Sequence, residues 1–112
     1  MVKPWRLTRS AEASLVDIAR WTIETFGPRQ AKVYEDNLIG ACKAIAAGVA
    51  QSQICSQVMD PDLPETLRFT RSGQHFVVYV ELDEVIVIVD FLHARSDLPR
   101  RIAENLKSIL RS

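Results

Sequence analysis

The sequence predicts an α+β fold: a short N-terminal strand and a helical hairpin packed on a small, mainly antiparallel β-sheet, with a short C-terminal helix. Three observations carry this expectation. Val85, Ile86, Val87, Ile88, Val89 and Phe91 form a run broken only by Asp90, without alternation, which is how a strand covered on both faces reads. Two segments of helical periodicity meet at Gly27-Pro28, a pair suited to ending one helix and starting the next. Between Leu67 and Leu92, three runs rich in β-branched and aromatic residues are separated by turns alone, which predicts an antiparallel meander.

Taken in order, Lys3 to Thr8 sets Trp5 and Leu7 in alternation with Pro4 and Arg6, enough for a short first strand with Pro4 at its start or on an edge. Thr8 or Ser10 can cap the helix that follows. Its residues Ala11, Leu15, Ile18, Ala19, Thr22 and Phe26 share one stripe at about 100° per residue, opposite Asp17, Arg20 and Glu24, while Trp21 sits beside the stripe. The second helix, Pro28 to Val49, places Ala31, Tyr34, Leu38, Ala41, Cys42, Ile45 and Val49 on one face and leaves Val33 and Ile39 pointing elsewhere. Ala50 to Glu65, polar and interrupted by Pro61 and Pro64, reads as a connecting loop. Leu67 to Arg71, His75 to Leu82 and Val85 to Leu92 are the meander strands, joined by Ser72-Gly73-Gln74 and by the two-residue Asp83-Glu84 turn. After Leu92 the chain turns polar within a few positions. Asp97 can cap a final helix with Leu98, Ile102, Leu106, Ile109 and Leu110 on one side and Arg100, Arg101, Lys107 and Arg111 around the other.

A chain of 112 residues, 47% of them hydrophobic, has the size of one domain spanning residues 1–112 with one core. Its 14 basic and 14 acidic residues cancel, which argues against nonspecific nucleic-acid binding by the whole surface. The distribution is uneven: beyond His93, Arg95, Arg100, Arg101, Lys107 and Arg111 outnumber Asp97 and Glu104, a local excess of positive charge suited to an anionic partner. No run of about 18 apolar residues and no secretory signal pattern is present, so a cytoplasmic protein with no membrane partner is expected. Cys42 and Cys55 form neither a disulfide framework nor a metal pattern; free thiols are the first reading and a bridge between them the second.

His93, with Arg95, Arg71 and Asp97 in its vicinity, could in principle serve general acid–base chemistry on a phosphodiester. The structural alternative, hydrogen bonding to loop carbonyls and carboxylates at a strand–helix junction, is the stronger one, and Asp90 likewise reads as a buried carboxylate with an internal partner. No glycine-rich phosphate loop, clustered metal ligands or nucleophile with a base is recognisable, so no cofactor, no metal and no enzymatic activity are expected.

The strand running into Leu92-His93-Ala94-Arg95-x-Asp97-Leu98, the opening Arg6-Leu7-Thr8-x-x-Ala11, the Phe26-Gly27-Pro28-x-x-Ala31 junction, and the paired runs Leu67 to Arg71 and Phe76 to Val80 together resemble ParE-type toxins of the RelE/ParE toxin–antitoxin superfamily. The resemblance covers nearly the whole chain. It implies a type II toxin that binds and inhibits DNA gyrase without making or breaking a bond, with His93, Arg95, Arg100, Arg101, Lys107 and Arg111 as the residues available to the target. It also implies a ParD-like antitoxin whose C-terminal segment folds on the toxin and through which alone operator DNA is reached. Ile18, Trp21, Val33 and Ile39 are the apolar side chains expected to meet that segment, since Trp21, Val33 and Ile39 exceed what one sheet-facing side needs. The RelE-type alternative is a ribosome-dependent mRNA endonuclease. Its basic cluster is commonly joined by a late tyrosine, whereas Tyr34 and Tyr79 here fall on a core-facing helix stripe and a central strand, and arginine alone is a poor proton acceptor. A non-toxic, antitoxin-binding member of the family is the third reading.

Overall fold

A computed structural model of the chain describes residues 2–58 and 61–94; the helix expected over 98–110, with Arg95, Arg100, Arg101, Lys107 and Arg111, lies outside the described residues. Within them the order is β1 (Trp5–Leu7), α1 (Arg9–Phe26), α2 (Pro28–Ala46), β2 (Gln53–Ile54), α3 (Cys55–Val58), β3 (Leu67–Ser72), β4 (His75–Glu81) and β5 (Ile86–His93). The strands form one sheet in the order β1-β5-β4-β3-β2. β1 runs parallel to β5, with Trp5 opposite Ile86 and Leu7 opposite Ile88, and every other pairing is antiparallel. The fold is the α+β arrangement anticipated from the sequence, and its last described strand, β5, lies between β1 and β4.

Local chemistry explains the boundaries. Of the two cap candidates for α1, Thr8 is used: its hydroxyl oxygen accepts from the Ala11 N–H at 3.1 Å while the hydroxyl donates to the Val89 carbonyl at 2.7 Å, so one side chain starts the helix and ties it to the central strand. Gly27, at φ 92°, donates to the Ile23 carbonyl at 2.9 Å to close α1, and Pro28 opens α2 at once. α2 stops at Ala46, three residues before the expected Val49. Val49 N–H reaches the Ala44 carbonyl and Gly48 N–H the Ile45 carbonyl, both at 3.0 Å, the Schellman pattern that ends helices, and Val49 is left exposed. The expected loop at residues 50–65 holds two short elements: β2, which adds to the outer edge of β3, and α3. A two-residue strand is too short for any periodicity to register.

The sheet separates two apolar layers. On the hairpin side Ala11, Leu38, Cys42, Ile45 and Ala46 meet Val77, Tyr79, Ile86, Ile88 and Phe91. On the other, Cys55 and Leu63 join Leu67, Phe69, Val78, Val89 and Leu92. All residues from Ile86 to Leu92 are buried, as the unalternating run requires. The register of β4 and β5 slips once: Tyr79 pairs with Ile88 but Val78 with Asp90, so Val89 is an extra residue. The bulge lets Asp90 and Phe91 both face the helices, where Ser14 Oγ donates to the Asp90 carboxylate at 2.5 Å and the Phe91 N–H donates to it at 2.8 Å. Cys42 and Cys55 sit in different layers as buried free thiols. Burial pushes them up to about 12 and about 11 respectively, so neither is a reactive thiolate.

The β3–β4 connection is a two-residue turn, Gly73-Gln74, closed by the Ser72–His75 pair. Gly73 has φ 59°, and a Cβ there would meet Tyr34 Cε1 at 2.8 Å. Gly73→Ala should therefore cost about 2 kcal/mol, combining an unfavourable φ with the clash, and lower the Tm by on the order of 10 °C. Circular dichroism melts will check this. In a Tyr34→Ala background the additional cost should shrink to the backbone part alone.

Candidate functional site

At the tip of the hairpin the last turn of α1 and the first turns of α2 do not close against each other. Trp21, Thr22 and Phe26 from α1, Gln30 and Tyr34 from α2, and Gln74 and His75 at the start of β4 line a cleft of about 420 Å³. Its walls are mainly apolar, and among the described residues that line it none is charged. Trp21 is 54% exposed and Phe26 61%, and the two rings meet edge to face with centroids 5.8 Å apart. Phe26 lies on the stripe expected to face the core; the structure turns it to solvent because it forms the rim of this cleft. A tryptophan half in water leaves on the order of 100 Å² of apolar surface uncovered, worth about 2.5 kcal/mol when a partner covers it.

Beneath the aromatic rim lies a polar clamp that the sequence reading did not find. The Gln74 N–H donates to Tyr34 Oη at 3.0 Å, and Tyr34 Oη lies 2.5 Å from His75 Nδ1. The phenol oxygen receives the amide hydrogen and shares one hydrogen with Nδ1 of a neutral His75, and it lies 3.4 Å from the Ser72 carbonyl, a second acceptor for its own hydrogen. Burial, with the neighbouring His93 second, lowers the His75 pKa from 6.5 to about 4, in agreement with that assignment. His75 pairs directly with His93 across the ladder, their rings 5.2 Å apart and nearly perpendicular. Folding the meander symmetrically about Asp83-Glu84 sets His75 opposite Leu92; the extra residue in β5 is what moves it to His93. The bulge is not encoded in any local pattern, so the pairing was not legible.

The expected site residues separate accordingly. Of the four apolar ones, Trp21 and Val33 are exposed, whereas Ile18 is half-buried against the hairpin-side core and Ile39 is half-buried. Val33 and Ile39, six residues apart, lie about 120° from each other around α2 and so do not form one stripe. Val16 and Ile23, not singled out in the sequence, are exposed on a further flank of α1. Among the charged residues, His93 alone falls within the described chain, half-buried at the end of β5. Arg71, grouped with it above, instead donates from Nε to the Gly73 carbonyl at 2.9 Å and lies over the Phe76 ring. Among the described residues no group of three or more metal-ligating side chains converges, and no helix is long and apolar enough to cross a membrane.

A hairpin laid on one face of a mixed five-stranded sheet is the architecture found in a solved structure of the chromosomal ParDE TA system from P. aeruginosa. That chain superimposes with a TM-score of 0.62 at 17% identity, over 82% of this chain and 96% of that one, a likeness of fold. The family follows from the sequence comparisons. A family model described as the ParE toxin of the type II toxin–antitoxin system parDE matches residues 5–98, and the Toxin ParE of Escherichia coli is 32% identical over 102 residues, 90% of this chain and 94% of that protein. The chain belongs to the ParE toxin family of type II toxin–antitoxin systems.

The clamp makes a pH-dependent stability. With a folded pKa near 4 and an unfolded value near 6.5, His75 binds a proton more readily in the unfolded chain, so its contribution is fully present above about pH 6.5 and is lost as pH falls toward 4. Denaturant titrations across that window should show a steeper loss in the wild type than in His75→Gln, whose side chain does not titrate there.

Proposed function

We propose that this chain is a ParE-type toxin that acts by binding DNA gyrase and is neutralised by a ParD-like antitoxin. It makes and breaks no bond itself. The observation that carries the antitoxin half is the aromatic rim: Trp21 and Phe26 stand in water at the mouth of a cleft that has no charged side chain among its described lining residues. An amphipathic helix of the antitoxin laid along the hairpin tip, with one large side chain between these rings, covers that surface. Trp21 and Val33 are its contacts on this reading, Ile18 contributes only its exposed edge, and Ile39, on another flank of α2, falls outside the path of that helix. Operator DNA is engaged through the antitoxin, in the cytoplasm.

Support for gyrase is the family itself together with the basic residues Arg95, Arg100, Arg101, Lys107 and Arg111, with His93 at the end of β5.

Purified gyrase should lose supercoiling activity and accumulate cleaved DNA when this protein is added; mRNA cleavage on ribosomes with untouched gyrase is the result that overturns the reading. Reversing Arg100 and Arg101 to Glu should weaken growth inhibition while the Tm stays unchanged. For the antitoxin, Trp21→Ala should raise its Kd by on the order of tenfold or more by calorimetry, in line with about 2.5 kcal/mol of lost burial. A folded variant that binds as tightly as wild type removes the hairpin tip as the antitoxin surface.

A further inference from the structure

We propose that the sheet carries a second docking groove on its other face, at Phe69, Arg71 and Phe76, which takes a short antitoxin segment presenting a carboxylate beside an apolar side chain. The inference rests on the antitoxin reading above and deepens it by assigning partner chemistry to a surface away from the hairpin.

The groove is built by register. Arg71 stands opposite Phe76 in the β3–β4 ladder, two positions from Phe69 on the same strand, so all three side chains share one face. Phe69 and Phe76 meet edge to face at 5.1 Å, and the Arg71 guanidinium lies 5.8 Å above the Phe76 ring. Its Nε is held by the Gly73 carbonyl at 2.9 Å, which orients the planar group and leaves its two Nη nitrogens for another ligand. Among the described residues the ion pairs are Lys3–Glu81, Arg20–Asp17 and Lys32–Asp36, and none involves Arg71. With Val58, which is 58% exposed, and with Gln51 and Thr70, these residues enclose a groove of about 540 Å³ in which, among the described residues, Arg71 brings the one charge and no acid balances it.

Charge complementarity therefore asks for an anion, and the apolar wall asks for a hydrocarbon or aromatic side chain next to it. An oriented guanidinium stacked on a ring is suited to a carboxylate in a two-pronged pair. The neighbouring backbone leaves room: β2 pairs with Arg68 and Phe69 only and the Thr70 hydroxyl donates to the Gln51 carbonyl at 2.7 Å, beyond which β3 continues through Arg71 and Ser72. A single-stranded nucleic acid fits less well, because a base needs an open ring face, while Phe69 is buried and Phe76 is already covered by Arg71. The groove and the hairpin cleft lie on opposite faces of the sheet, so a partner chain that reaches both gains from linkage as well as from each contact.

The test uses the full chain and its ParD-like antitoxin in calorimetric titrations at low and high salt. Arg71→Glu should raise the antitoxin Kd by on the order of tenfold or more and flatten its salt dependence, Arg71→Gln should do so less, and reversing one antitoxin Asp or Glu to Arg should restore affinity for the Arg71→Glu toxin. Combined with Trp21→Ala the losses should multiply, since the two positions do not touch. The groove assignment is overturned if both Arg71 variants bind within twofold of wild type. It also falls if they change the sedimentation of the free toxin, which means a second copy sits there, or if they abolish binding of a single-stranded oligonucleotide while antitoxin affinity holds. A wild-type toxin that fails to bind the antitoxin overturns the proposed function and this inference together, whereas intact antitoxin binding in the Arg71 variants removes the groove alone.

Discussion

β5 has to be dry on both faces, and the rest of the described structure follows from that requirement. An eight-residue strand of branched and aromatic side chains cannot be covered by one layer. The helical hairpin supplies one cover, while α3, Leu63 and the far-side residues of β3 and β4 supply the other. Both neighbouring strands are then obligatory as well, β4 from the meander and β1 from the far end of the sequence. The polar residues that enter this layer are matched by donors: Thr8 to the bulged Val89 carbonyl, Ser14 to the Asp90 carboxylate. These two contacts come from the start of α1, so the covering helix is positioned by hydrogen bonds at one end and by apolar packing along its length.

The other end of the hairpin is held differently. Tyr34 reaches across to Gln74 and His75, and Gly73 gives way to its ring, so the β3–β4 turn is clipped to α2 rather than packed against α1. Space is left between the turn and Phe26, and that space is the cleft. An exposed aromatic pair at this point is thus a product of how the hairpin is clamped: polar contacts fix the floor and leave the rim apolar.

Much of the fold was legible because its signals are strong and local. The unalternating Val85 to Phe91 run announced a doubly buried strand, Gly27-Pro28 announced the hairpin tip, and the exposure of Trp21 was foreseen from its place beside the α1 stripe. What escaped notice depends on distance or on single residues. β2 is too short to have a period. Val49 continued a helical stripe that Gly48 had already ended. Phe26 is on the core-facing stripe yet exposed, since a stripe gives direction but not whether anything stands there to meet it. His75 and Tyr34 come together only through a turn, a one-residue bulge and a helix separated from them in sequence, none of which a linear pattern encodes.

The parallel pairing of β1 with β5 also sets an order of events during synthesis. Thr8 and the Val89 carbonyl it binds are 81 residues apart in the chain. The hairpin is made early, but the strand that it covers, and on which its capping hydroxyl closes, is among the last described segments to be made. Until then the inner face of α1 and α2 has only the residues of β3 and β4 to lie on, and pairing over that sequence separation carries the entropy of closing a long loop. A chain that stops before β5 lacks Ile86, Ile88 and Phe91, the residues on which the inner face of the hairpin packs, and leaves that face exposed to association with other chains.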